Sequence, residues 1–205
     1  MGYEATKASI ESSFEETGLE YIDLYLIHAP FGGAEARKGT WRALLEAQKA
    51  GRIRSLGVSN YGVHHLEELS DYISSLEAKS GPGAGGVISV NQCEVHPWLP
   101  RPDIVSWCQQ RGIVMEAYCP IVRGQRFQDE SVQKLVQKYE GTTPAQILLR
   151  WSLQRGLVPL VKSENPGRVE ENSGIFGWEM SDEDVKALDS GGYEPCSWDP
   201  TVSHD

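Results

Sequence analysis

Five short apolar segments, each followed by a stretch with helical spacing, recur along this chain at intervals of about 35 residues, the cadence of parallel strands joined by crossover helices. The first, Tyr21-Ile22-Asp23-Leu24-Tyr25-Leu26-Ile27-His28, is almost continuously apolar, as a parallel strand buried on both faces would be. Further strands are predicted over residues 53–59, 87–92, 113–118 and 157–161. A helix over residues 7–17 precedes the first strand and is closed by Gly18. Between the strands, helices are predicted over 39–50, 63–76 and 103–110, and a stripe of Val132, Leu135, Val136 and Tyr139 marks another. Thr143 caps the next helix with Pro144 at its first position, and Ser181 with Asp184 resembles a capping box before Val185 and Leu188. Residues 79–86 are so rich in glycine that they read as a flexible surface loop.

Two architectures fit this cadence. A doubly wound dinucleotide domain would carry G-x-G-x-x-G after its first strand, and the sequence has none. A complete β/α barrel has eight strands and typically about 250 residues, and this chain of 205 falls about three units short. The reading is therefore α/β, an incomplete (β/α)8 TIM barrel, with residues 1–205 as a single partial domain.

Barrel chemistry collects at the C-terminal ends of strands. The five predicted strands end in His28, Ser59-Asn60, Asn91-Gln92, Tyr118 and Lys162-Ser163. One polar residue at a strand end only meets solvent, but five in register point to a shared pocket. After the fifth strand, Lys162-Ser163-Glu164-Asn165-Pro166-Gly167-Arg168 gathers cations and hydroxyls before a helix start, where amide groups and the dipole favour an anion.

Charge and composition narrow the partners. The formal charge of −10, from 19 Lys+Arg against 29 Asp+Glu, argues against nucleic acid, whose phosphates need a basic footprint. No apolar run is long enough to span a membrane and no secretory signal is visible, so a cytoplasmic location is expected. The four cysteines form no C-x-x-C pair and read as reduced thiols. Cys93 and His96 have a ligand-like spacing, but two residues make no metal site and none is expected. His96 reads as structural, and His64, His65 and His204 as surface residues. Gly57-Val58-Ser59-Asn60-Tyr61 lacks the second glycine of G-x-S-x-G, which excludes the hydrolase elbow.

The chain resembles the aldo-keto reductase family. The resemblance lies in Leu19-Glu20-Tyr21-Ile22-Asp23-Leu24-Tyr25-Leu26-Ile27-His28-Ala29-Pro30, Gly57-Val58-Ser59-Asn60-Tyr61, Val90-Asn91-Gln92-Cys93-Glu94-Val95-His96-Pro97, Glu116-Ala117-Tyr118-Cys119-Pro120 and residues 162–172. It implies an NADP-dependent oxidoreductase that reduces an aldehyde or ketone by hydride transfer from NADPH, on strands 4–8 of the family's barrel. By that resemblance Ser59, Asn60 and Gln92 hold the nicotinamide carboxamide, and Tyr118 stacks under the ring. Lys162, Ser163 and Arg168 surround the adenosine 2′-phosphate with Asn165 nearby, and Glu171 and Asn172 face the adenine. An Arg fork suits a phosphate dianion, which favours NADP over NAD. His28 matches the active-site histidine that donates a hydrogen bond to the substrate carbonyl.

The family's catalytic Asp, Tyr and Lys sit on units that precede this chain's first residue, and Tyr3, Tyr21, Tyr25 and Lys7 match none of them. The expectation is an N-terminally truncated member with turnover severely reduced or nil, whose exposed barrel edges favour self-association. The second reading is a catalytically inactive NADPH-binding or interaction module. A phosphate-site barrel fragment of another enzyme class is disfavoured, because a bare phosphate site needs neither a carboxamide clamp nor a stacking ring.

Overall fold

The computed structural model describes residues 1–204. Eight α-helices and five strands alternate among them: α1 (Tyr3–Thr17), β1 (Ile22–Ile27), α2 (Gly33–Lys49), β2 (Ile53–Ser59), α3 (Val63–Ser80), β3 (Ile88–Glu94), α4 (Pro102–Gln109), β4 (Val114–Tyr118), α5 (Glu130–Lys138), α6 (Pro144–Gln154), β5 (Val158–Leu160), α7 (Pro166–Ser173) and α8 (Asp182–Leu188). Short 3₁₀ turns lie at Val122–Gly124 and Pro200–Val202. The sheet follows chain order, β1-β2-β3-β4-β5, and β1 with β2, β2 with β3 and β4 with β5 pair in parallel. The chain divides into two compact units, one of residues 1–92, 106–113 and the segment from 199, the other of residues 93–105 and 114–198.

In the first unit, Trp41, Leu44, Ile53, Leu56, Val58 and Leu66 are almost fully buried. Gly57 lies so close to β1 and β3 that a Cβ there would stand 2.6 Å from Leu26 Cδ2 and 2.8 Å from the Val90 carbonyl oxygen. Glycine is required at this crossing by space alone.

Several sequence-based expectations change in this unit. β1 is half-buried rather than buried on both faces, with Asp23 exposed, because it lies at the sheet edge. α2 begins at Gly33, six residues before the expected start. Its first turns bury Arg37 rather than an apolar stripe: Nε and Nη2 donate to Glu68 at 2.8 and 2.7 Å, and Nη1 to the Pro30 carbonyl at 2.6 Å. α1 likewise starts early, since Thr6 is buried by bonding the Gly2 carbonyl at 2.7 Å and Thr40 at 3.1 Å. The glycine-rich segment begins inside α3 and then packs: Gly85 is buried and its carbonyl accepts from Trp41 Nε1 at 2.9 Å. His65 is buried, while His64 and His204 are exposed as expected.

The second unit centres on α6, whose Ile147, Leu148, Leu149 and Trp151 are fully buried, with Met115 and Ala117 of β4 and Val132 of α5. The start of α6 matches its sequence signals. Thr143 Oγ1 accepts from the Gln146 amide at 3.3 Å, and Gln146 Oε1 accepts from the Thr143 amide at 3.0 Å. Ser181 caps α8 by accepting from the Asp184 amide at 3.3 Å.

Candidate functional site

The predicted site residues fall into two groups, one in each unit. In the first unit, β2 closes on Ser59 and Asn60, and both turn back onto neighbouring strands. The Ser59 hydroxyl donates to the Gln92 carbonyl at 2.8 Å, and the Asn60 amide N–H donates to the same oxygen at 2.8 Å. Asn60 Nδ2 donates to the His28 carbonyl at 3.0 Å and to Ser59 Oγ at 3.1 Å. Asn60 holds φ +62°, a conformation in which asparagine is favoured among non-glycine residues. One buried asparagine thus joins the segments bearing His28, Ser59 and Gln92.

The Asn60 Nδ2 donors and the Ser59 hydroxyl proton are committed inside the protein, and both side chains are buried. Gln92 is half-buried, and His28 is exposed just beyond β1. The segment after His28 is held by the Arg37 bond to the Pro30 carbonyl. Asn91, which the sequence places beside Gln92 at a strand end, is fully buried and supports Tyr61 by donating to its carbonyl at 3.0 Å. β3 continues to Glu94, so Asn91 and Gln92 lie within the strand rather than at its end.

In the second unit Tyr118 ends β4 half-buried, and its carbonyl accepts from the Val95 amide at 3.4 Å. Burial, and then the neighbouring Glu94 carboxylate, push its phenol above the ordinary value, so the ring stays neutral at physiological pH. Lys162, Ser163, Asn165 and Arg168 line an open cleft of about 550 Å³ with Glu164 and Pro166. Asn165 caps α7 by accepting from the Arg168 amide at 3.3 Å, and Ser163 Oγ accepts from the Asn165 amide at 3.2 Å. Lys162 is paired with Glu164. Glu171 accepts from Thr143 Oγ1 at 2.9 Å, which ties α7 to the start of α6, and Asn172 is buried beside them.

The Cys93–His96 spacing is not what the fold uses. Strand alternation turns Cys93 away, and His96 instead meets Glu94 and Cys196, which lies about a hundred residues further on. The only local signal was the Glu94-x-His96 spacing, which puts both on one side of an extended chain. Cys196 left no signal at all.

A strand–helix succession carrying ligand-type residues at successive strand ends defines a β/α-barrel class of ligand-binding protein. The comparisons give the family. A family model for the aldo/keto reductase family matches residues 1–191, and the chain belongs to that family. An uncharacterized oxidoreductase of Saccharomyces cerevisiae is 40% identical over 202 residues, covering 98% of this chain and 68% of the relative. The glyoxal reductase of Bacillus subtilis is 42% identical over 190 residues, covering 93% of this chain and 64% of the relative. A crystal structure of a Gox0644 variant in complex with NADPH superposes with TM-score 0.84 at 33% identity, covering 100% of this chain and 72% of that one. The chain therefore spans about two thirds of the length of these curated relatives, and the fold is that of part of the family's barrel.

Proposed function

We propose that this chain binds NADPH and presents it to a small aldehyde or ketone, as part of an NADP-dependent aldo-keto reductase. The observation that carries the reading is the Asn60 network, which fixes His28, Ser59 and Gln92 relative to one another at the ends of adjacent strands. The residues fit the cofactor chemically. The hydroxyl of Ser59 and the side-chain amides of Asn60 and Gln92 are of the types that hydrogen-bond a carboxamide, and a neutral, half-buried Tyr118 suits a stacked ring. The cleft of Lys162, Ser163, Asn165 and Arg168 suits a phosphate dianion, with Glu171 and Asn172 on the adenine side. The bound cofactor supplies the hydride. His28 donates a hydrogen bond to the substrate carbonyl and orients it.

The second reading is NADPH binding without turnover. It is favoured by two tyrosines whose hydroxyls are already engaged by groups other than a lysine: Tyr3 donates to Glu46 at 2.6 Å, and Tyr25 bonds Ser13 at 3.0 Å. The family match runs through both units, which supports one partial barrel domain. The edge strands support self-association, since Tyr21 beside β1 and Val158 and Leu160 on β5 are exposed apolar groups. No helix among the described residues is long and apolar enough to cross a membrane. The absence of disulfides among the four cysteines supports cytoplasmic placement.

The test is NADPH titration of the full chain, followed by NADPH consumption on adding glyoxal, a small aldehyde of the kind for which the Bacillus relative is named. Saturable binding with consumption that His28→Ala abolishes supports the reductase reading. Binding without consumption supports the second reading, and a folded chain that does not bind overturns both.

A further inference from the structure

Where β3 ends, Glu94 and His96 are both fully buried, with His96 Nε2 and Glu94 Oε1 2.9 Å apart. The backbone amide of Cys196 donates to the same carboxylate oxygen at 2.6 Å, and the Cys196 thiol faces both that carboxylate and Cys119. One donor atom from each of Glu94, His96 and Cys196 lies within 4.8 Å of the others. Glu94 Oε2 and His96 Nδ1 have no hydrogen-bond partner among the described residues. Two unsatisfied polar atoms in one buried cluster are costly unless something else binds there.

The turn does not need these side chains to close. His96 and Leu99 exchange backbone bonds at 3.3 and 2.8 Å, and Arg101 Nε donates to the Glu94 carbonyl at 2.8 Å. The C-terminal segment is independently laid over the turn by bonds from the Ser190 amide to the Pro97 carbonyl at 3.1 Å and from the Glu194 amide to the Trp98 carbonyl at 3.0 Å. The carboxylate, imidazole and thiol are thus assembled beyond what the local fold requires. Cys196 is only half-buried, which gives an ion a way in.

We propose that Glu94, His96 and Cys196 bind a divalent transition-metal ion of the zinc class, with the Cys119 sulfur or a water as fourth ligand. A mixed oxygen, nitrogen and sulfur set selects a borderline-soft ion over calcium or magnesium, and zinc takes such sets in tetrahedral geometry. On binding, the Cys196 thiol gives its proton to solvent and its sulfur bonds the metal. The ion staples residues 190–196 to the turn after β3.

The experiment titrates the full chain, stripped with a chelator, with Co²⁺ and then displaces it with Zn²⁺. One Co²⁺ per chain, a thiolate-to-cobalt charge-transfer band, and a Zn²⁺ affinity weakened at least about 10-fold in Cys196→Ser are expected. Cys196 lies on the half-exposed tail, so this variant keeps the buried Glu94–His96 pair. Cys119→Ser separates the sulfur from the water as fourth ligand: the band weakens if sulfur is bound and stays if water is. Absence of the charge-transfer band overturns the site, as does Zn²⁺ binding that Cys196→Ser leaves unchanged.

Discussion

Asn60 donates from Nδ2 to the carbonyl of His28 at 3.0 Å, so the end of β2 holds the backbone of the residue that follows β1. The bond is made from a left-handed backbone at φ +62°. Asn60→Gly keeps the backbone and loses the bonds, and is expected to cost about 1–2 kcal/mol. Asn60→Ala adds backbone strain for a total of about 2–3 kcal/mol. Urea unfolding measures both, and the glycine variant should be the more stable of the two.

Gly62 marks where the first unit receives the C-terminal turn. A Cβ at this position would stand 2.1 Å from the Thr201 carbonyl oxygen, and its φ of −74° is ordinary, so space alone requires glycine. Gly62→Ala must displace the turn at Pro200–Val202 and is expected to destabilise the fold by about 1–3 kcal/mol. Faster proteolysis of the C-terminal residues in this variant would report the displacement.

The Trp41–Gly85 bond fixes the glycine-rich segment to the core. Trp41→Phe keeps most of the buried ring and leaves the Gly85 carbonyl unsatisfied, at a cost of about 1–3 kcal/mol. Amide exchange should rise most between residues 81 and 87. Equal protection in both proteins would show that the segment is held by other contacts.

Acid sensitivity follows from His65. Burial, then the neighbouring His64, push it from 6.5 down to about 4, with Arg37 and Glu68 also facing it. Its Nδ1 accepts from the Gly62 amide at 3.1 Å at the start of α3, which requires the neutral ring. The unfolded chain takes up a proton near pH 6.5 that the folded chain refuses until about pH 4. The contribution is therefore complete above pH 6.5 and declines toward pH 4, by about 3 kcal/mol at most. His65→Gln should flatten that part of the stability–pH curve, and an unchanged slope would refute the assignment.

Much of the fold was legible because local chemistry agreed with it. The Thr143-Pro144 start of α6, the Ser181 cap, Gly18 at the end of α1 and the bounds of β2 all lie where short-range signals put them. The misses arise where burial is achieved by polar groups. Arg37 and Thr6 occupy core-facing helix positions that a search for apolar stripes passes over, so α2 and α1 start earlier than their patterns suggest. β1 is apolar enough for a central strand yet lies at the sheet edge, because sequence alone does not reveal which neighbour is absent. In the site, the residue types at strand ends were readable. The commitment of the Asn60 donors and the meeting of Cys196 with Glu94 were not, since both depend on contacts between distant segments.

The proposed function places the 2′-phosphate of the cofactor in the cleft of Lys162, Ser163, Asn165 and Arg168. The direct measurement is the ratio of NADPH to NADH affinity by calorimetry, for the chain and for Arg168→Ala. Arg168 is exposed and its side chain caps no helix, so the variant leaves the fold intact. A preference for NADPH of at least about 10-fold is predicted, as charge-assisted bonds to a phosphate provide, and Arg168→Ala should remove most of it while NADH binding stays unchanged. Equal affinity for the two cofactors, or a preference that survives Arg168→Ala, would show that this cleft does not hold the 2′-phosphate.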